Sequence, residues 1–274
     1  MPAMSAASID PVRLKPLLGP LAARFDVDAL AEGSSSSDLL LERAARGAPS
    51  GSVLVVDRQS AGRGRRGRFW VSSPEASLTF SLLWRFDGGV ERLAGLSLAV
   101  GVAVADALAA LGARGIGLKW PNDVLFAGGK LAGILVELSG DRRGTTAVIG
   151  IGLNLLPPPA AAALAAPAPL LPATPPAALA DALSALPERH ALLAGLLCAL
   201  APTLDRFSAG GFAALRDEWQ ALHAWQDAPV RVLRDGRSEI EGLCRGADLD
   251  GALRVETASG VERCLSGDLS LRAA

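Results

Sequence analysis

An α+β fold in two unequal parts is predicted by three features of the chain. Apolar runs with strand character recur at residues 53–56, 78–86, 131–138 and 147–154. Stretches with apolar residues at helical spacing alternate with them, the longest running from Leu93 to Leu111 without a proline. From Trp225 onward the texture changes to short alternating runs divided by Asp-Gly turns at 235–236 and 250–251, the pattern of a small β-barrel. The predicted division is a large domain over 1–224 and a small one over 225–274. A Pro/Ala-rich stretch at 157–178 reads as an irregular surface excursion and not as a catalytic element.

In chain order, prolines at 2, 11, 16 and 20 limit residues 1–24 to short helical pieces. Phe25 to Leu30 alternates with the period of a strand. Gly33-Ser34-Ser35-Ser36-Ser37-Asp38 then precedes a helical run beginning at Leu39, so a serine is expected to cap that helix. Hydroxyls and amides at such a helix start also suit a polar head group. The helix over Leu93–Leu111 should end at Gly112. Gly117 to Pro121 reads as a strand stopped by proline, with Asn122-Asp123 at a turn. Val124–Phe126 and Leu131–Leu138 form a hairpin joined by Ala127-Gly128-Gly129-Lys130. Helical patterns resume at Glu188–Leu204 and Gly211–His223.

Composition removes several classes. A net charge of −1 argues against a broad nucleic-acid-binding face. Residues 226–274 hold seven arginines against nine acidic residues, so the small domain is no nucleic-acid clamp. Three scattered cysteines and two distant histidines form no disulfide framework and no metal site. The first residues show no charged region followed by an apolar run and a small-residue cleavage site, and no stretch approaches the ~18 uninterrupted apolar residues of a membrane span. The expectation is a cytoplasmic protein.

Two stretches carry chemistry. Gln59 to Trp70 is a loop with four arginines within six residues (Arg63, Arg65, Arg66, Arg68) and glycines at 62, 64 and 67. Arginine forks match phosphate and carboxylate oxygens, glycines permit close approach, and Trp70 adds a flat face. Alone, the loop fits a solvated surface, a nucleic-acid patch or a small anionic ligand. The second stretch holds Lys119-Trp120-Pro121-Asn122-Asp123 and Lys130-Leu131-Ala132-Gly133-Ile134-Leu135-Val136-Glu137. Of 27 basic residues only three are lysine, and two of those are Lys119 and Lys130. It is no Walker A loop, because no Ser or Thr follows Lys130. Glycines 150 and 152 interrupt the strand ending at Asn154, which is consistent with tight packing or with close approach of a ligand.

In order and spacing, Gly62 to Arg68, Lys119 to Asp123 and Lys130 to Glu137 resemble the signature of bacterial biotin protein ligases. The likeness runs from about Ser34 to Arg272. It implies a mixed-sheet catalytic domain of the class II aminoacyl-tRNA synthetase/biotin ligase type with packed helices, followed by an SH3-like C-terminal barrel. The short lead-in implies the monofunctional type, without an N-terminal helix-turn-helix repressor. The implied activity is ATP-dependent attachment of biotin to a lysine of the biotin carboxyl carrier protein of acetyl-CoA carboxylase or a related carboxylase. It passes through biotinyl-5′-AMP, releasing pyrophosphate and then AMP. ATP, Mg²⁺ and biotin are the implied ligands, with no DNA and no membrane partner; a homodimer is left open.

By the same likeness Ser35, Ser36 and Ser37 take the ureido ring, although Ser34 and Ser37 replace an acidic residue and an asparagine usual in the family. Gln59 lines the biotin pocket. Arg63, Gly64, Arg65 and Trp70 belong to a loop that closes over biotin and the adenylate. Asn122, Gly133, Gly152 and Asn154 are further binding positions. Lys130 is the expected bridge between the biotin carboxylate and the α-phosphate. Arg63 and Arg65 serve phosphate and loop closure, Lys119 is a second cation, and Asp123 is a candidate proton acceptor for the attacking amine. A lipoate or octanoate ligase of the sister family, and a non-enzymatic binding module, are the alternatives.

Overall fold

The computed structural model describes residues 8–140, 144–157, 174–234, 237–265 and 269–273. The Asp-Gly turn at 235–236 and most of the 157–178 stretch lie outside them. The chain opens with α1 (Pro11–Leu14) and a 3-10 segment broken at Gly19, as the prolines demand. Then come β1 (Asp26–Gly33), α2 (Ser36–Ala45), β2 (Ser52–Gln59) and β3 (Ser77–Asp87). After α3 (Leu96–Ala110) follow β4 (Ile116–Lys119), β5 (Asp123–Phe126), β6 (Gly129–Gly140) and β7 (Gly144–Asn154). Three helices, α4 (Leu179–Ala182), α5 (Arg189–Gly210) and α6 (Arg216–Leu222), lead to a second sheet.

The first sheet is mixed, in the order β1-β2-β3-β7-β6-β5-β4. Only β1 and β2 run parallel; the remaining neighbours are antiparallel. The β5–β6 hairpin turns through Ala127 and Gly128, both at positive φ, so its two-residue loop matches the strand twist. Lys130 therefore lies within β6, a correction to the sequence reading that put it in the connecting loop.

Strand alternation gives the sheet two unlike faces. Val53, Val55, Phe80, Leu82, Ile149 and Ile151 join the main core with α3 and α5. On the opposite face Leu40 of α2 packs on Leu54, Val56, Leu83 and Val148. Further along β3 and β7, that second face carries Ser81, Thr79, Gly150 and Gly152 in place of large apolar side chains. By length and mean hydropathy Val90–Ala110 and Arg189–Gly210 both reach the range of a membrane span, a range that a search for uninterrupted apolar runs passes over. Most of each apolar window is buried in the core, which explains the hydropathy without a membrane.

The second sheet is antiparallel, in the order β11-β10-β9-β8-β12, from β8 (Pro229–Arg234), β9 (Arg237–Ala247), β10 (Leu253–Thr257), β11 (Gly260–Cys264) and β12 (Leu269–Ala273). It docks on the first unit at a close backbone approach. A Cβ on Gly251 would lie 2.7 Å from Gly95 Cα, and both residues have positive φ. Trp120, fully buried, donates its indole N–H to Gly251 O at 3.1 Å.

His223 sits at this joint. Its ring stacks on Trp219 with centroids 4.5 Å apart, and Nδ1 lies 3.9 Å from Cys244 Sγ. Burial drives its pKa down to about 4, against a smaller upward pull from Gln226. The unfolded chain, titrating near ~6.5, therefore binds more protons than the folded protein between those values. Stability is expected to fall as pH drops from 6.5 to 4, by up to about 3 kcal/mol from this residue. Urea midpoints for wild type and His223→Gln across that range check it. Parallel pH profiles for the two proteins would refute it.

Candidate active site

A lateral row crosses four strands of the first sheet. Thr79 pairs with Gly152, Gly152 with Gly133, and Gly133 with Asp123, so all four positions share a face. Three strand spacings of ~4.8 Å make the row about 14 Å long. The middle of the row has no side chains of its own. The Trp70 indole lies there instead: a Cβ on Gly152 would meet Trp70 Cε2 at 2.2 Å, and one on Gly133 would meet Cζ3 at 3.1 Å. Glycine at both places leaves a slot one ring thick.

At one end the slot is lined by hydroxyls. Ser35 caps α2, accepting from the Asp38 amide at 3.4 Å. Ser36 and Ser37 bring their Oγ atoms to Ser81 Oγ at 2.8 and 3.0 Å, all buried. Gly150 permits this, since a Cβ there would stand 2.6 Å from Ser37 Oγ. Gln59 Oε1 accepts the Ser36 amide at 2.7 Å. The structure thus gathers the four polar residues read from the sequence at this end. It adds Ser81, whose only sequence signal is a hydroxyl breaking the apolar run from Leu78 to Leu83.

At the other end stand the two lysines. Asp123 lies between them, with Lys130 Nζ at 2.6 Å and Lys119 Nζ at 3.4 Å. Burial pushes the Asp123 carboxyl up, but the charges and hydrogen bonds of Lys130 and Lys119 outweigh it, and the net shift is downward. A carboxylate so held is a weak proton acceptor and a strong counter-charge. Burial lowers Lys119 to about 8 despite Asp123. Lys119 also donates to Thr174 Oγ1 at 2.8 Å and stands 5.2 Å over the Trp225 ring; Lys130 stands 5.7 Å over Trp70.

The described end of the 157–178 stretch, read from sequence as a surface excursion and not a catalytic element, packs beside the site. The Lys130 amide donates to Pro175 O, and Ala177 N donates to Lys130 O, so this segment completes the edge of β6 beside both lysines. Edge backbone groups need partners, and composition gave no sign that a proline-rich segment would supply them. Asn154 Nδ2 donates to Lys130 O and Ala177 O, both at 3.1 Å, and ties the same corner.

The arginine loop lies across the slot. The Trp70 amide donates to Gly62 O and the Gly64 amide to Arg68 O. A Cβ on Gly62 would stand 2.2 Å from Trp70 O, so glycine is required there. Arg63 pairs with Asp38 at 2.9 Å and with Glu137, latching the loop to α2 and β6. Arg65 donates to Asn122 Oδ1 at 3.3 Å, and Asn122 donates onward to Ile134 O. Arg272 of β12 lies within electrostatic reach of Arg66, Arg68 and Asp123. The second sheet thus adds a cation that sequence motifs did not single out.

A slot with hydrogen-bonding groups at one end, two ammonium groups at the other and an arginine-rich cover suits a carboxylic acid joined to an anionic co-substrate. The site defines a ligase-type enzyme that activates an acid. The Biotin/lipoate A/B protein ligase family model matches residues 34–154, which hold every site residue named in the sequence reading. The biotin--[acetyl-CoA-carboxylase] ligase of Paracoccus denitrificans is 40% identical over 77% of this chain and 87% of its own. That of Mycobacterium tuberculosis strain H37Rv is 34% identical over 89% and 88%. A solved structure, the biotin protein ligase from Aquifex aeolicus in complex with biotin and ATP, superposes with a TM-score of 0.75 at 29% identity, covering 91% of this chain and 99% of the other. The chain belongs to the biotin protein ligase family.

Proposed function

We propose that this enzyme activates biotin with ATP and transfers it to a lysine of a carrier protein, the biotin carboxyl carrier of acetyl-CoA carboxylase or a related carboxylase. The observation that carries the reading is the row from Thr79 to Asp123: a glycine-floored slot with the serine cluster at one end and Lys130 at the other. The biotin ring system lies over Gly152 and Gly133, with its ureido group toward Ser36, Ser37 and Gln59. Its carboxylate reaches Lys130. Bringing a carboxylate to a polyphosphate at ~4 Å costs several kcal/mol at intermediate dielectric unless cations stand between. Lys130 is that cation, with Lys119, Arg65 and Arg272 around the phosphates. Mg²⁺ would enter with ATP and add positive charge at the phosphates beside Lys130, Lys119, Arg65 and Arg272, a role that needs few protein ligands. The small domain from residue 225 closes this end of the site.

Asp123 holds Lys130 and Lys119 in place. Asp123→Asn is expected to slow both half-reactions about tenfold, because it removes the shared counter-charge of two close cations. Single-turnover rates for each step check this. A normal rate of adenylate formation with slow transfer alone would return Asp123 to the role of proton acceptor.

The test of the reading is acyl-adenylate formation without a carrier. Purified protein, Mg²⁺ and α-labelled ATP are mixed with biotin, lipoate or octanoate. Biotinyl-AMP alone is the expected product. Adenylate with lipoate or octanoate instead would move the chain to the sister specificity, and no adenylate from folded protein would overturn the reading.

A further inference from the structure

The slot floor contains a hydroxyl that the fold leaves unsatisfied. Thr79 is 5% exposed, and its Oγ1 is buried without a hydrogen-bond partner among the described residues. Its neighbour two residues on, Ser81, shares the face and is fully engaged with Ser36 and Ser37. Thr79 pairs across the ladder with Gly152, over which the Trp70 indole lies. Trp70 Nε1 is a second buried polar atom without a partner there. Two orphaned polar groups thus flank one glycine, while buried polar groups are ordinarily paired.

An unpaired buried hydroxyl destabilises a fold, and valine has the same shape and favours strands. Thr79 therefore costs the protein stability that an equivalent apolar residue would not. It stands at the end of the row opposite Asp123, on the ring side of a bound acid. We propose that Thr79 is a specificity-determining ligand contact: its hydroxyl hydrogen-bonds a ring heteroatom of the acid, in biotin the thioether sulphur or a ureido N–H. This rests on the biotin reading above. A hydroxyl both donates and accepts, so it suits either atom. An acid with a plain alkyl chain, such as octanoate, leaves it unpaired and is selected against.

The experiment compares wild type, Thr79→Val and Thr79→Ser by calorimetric titration with biotin, by the KM for ATP, and by melting temperature without ligand. Thr79→Val is expected to weaken biotin binding about tenfold while its melting temperature stays level or rises, and the KM for ATP stays unchanged. Thr79→Ser, which keeps the hydroxyl, is expected to bind within about threefold of wild type. Unchanged biotin affinity in Thr79→Val, with wild type binding normally, would overturn the inference and leave the function intact. A lower melting temperature in Thr79→Val would also overturn it, by showing a hydroxyl needed for folding. Failure of wild type to bind biotin would overturn the function and the inference together.

Discussion

Replacing Lys130 by methionine is expected to slow biotinyl-adenylate formation about 10²- to 10³-fold, the usual effect of deleting one preorganised electrostatic group. Methionine keeps the length and apolar stem of lysine, so packing near Trp70 survives and only the charge is lost. Asp123 still pairs with Lys119, which limits the cost of leaving a buried carboxylate behind. Arginine is not expected to rescue. Its planar fork carries the charge differently from a compact ammonium, and Lys130 already makes close contact with Asp123 at 2.6 Å. Transfer from pre-formed biotinyl-AMP should suffer less, because the carboxylate and phosphate no longer have to be brought together. Quenched-flow measurement of both steps with labelled ATP separates these effects. An adenylation rate within a few-fold of wild type would remove Lys130 from the bridging role.

Legibility from sequence tracked how locally each feature is encoded. The central strands and α3 announce themselves because apolar periodicity is a property of neighbouring residues. The Ser35 cap and the Ala127-Gly128 turn are equally local. In the small sheet three strands were readable; of the other two, β11 buries only Cys264 and so shows no apolar alternation, and β12 is a short run whose buried Leu269 and Leu271 are a weak signal alone. The site was legible where single residues of unusual type recur in fixed motifs, as with Lys119 and Lys130. It was not legible where its meaning depends on register. Thr79 and Ser81 are ordinary strand residues until their pairing with Gly152 and Gly150 places them on the slot face. Thr174 and Pro175 reach the lysines only through the tertiary fold. Asp123 changed its meaning most. Read at a turn it is a candidate base, whereas the fold sets it at the start of β5 between two ammonium groups, where a clamp is the role proposed above.

Filling the slot is the sharpest test of where the acid binds. Gly152→Val is expected to reduce biotin affinity about 100-fold or more, since its Cβ and methyl groups occupy the floor that the ring system needs. The geometry leaves no room for compromise: a Cβ at residue 152 would already overlap Trp70 Cε2 at 2.2 Å. Trp70 can be displaced with its loop, whereas a ligand held at both ends cannot move off the floor. Folding should not suffer in proportion. Valine is a better strand former than glycine, and residue 152 pairs with Thr79 and Gly133 in the middle of a continuous ladder. The expected signature is a stable protein with altered tryptophan emission and little biotin binding. ATP affinity measured without biotin should be far less affected, because the proposed function puts the phosphates toward Asp123 and the lysines. Wild-type biotin affinity in a folded Gly152→Val protein would place the acid elsewhere and make the glycine row a device for packing Trp70 alone.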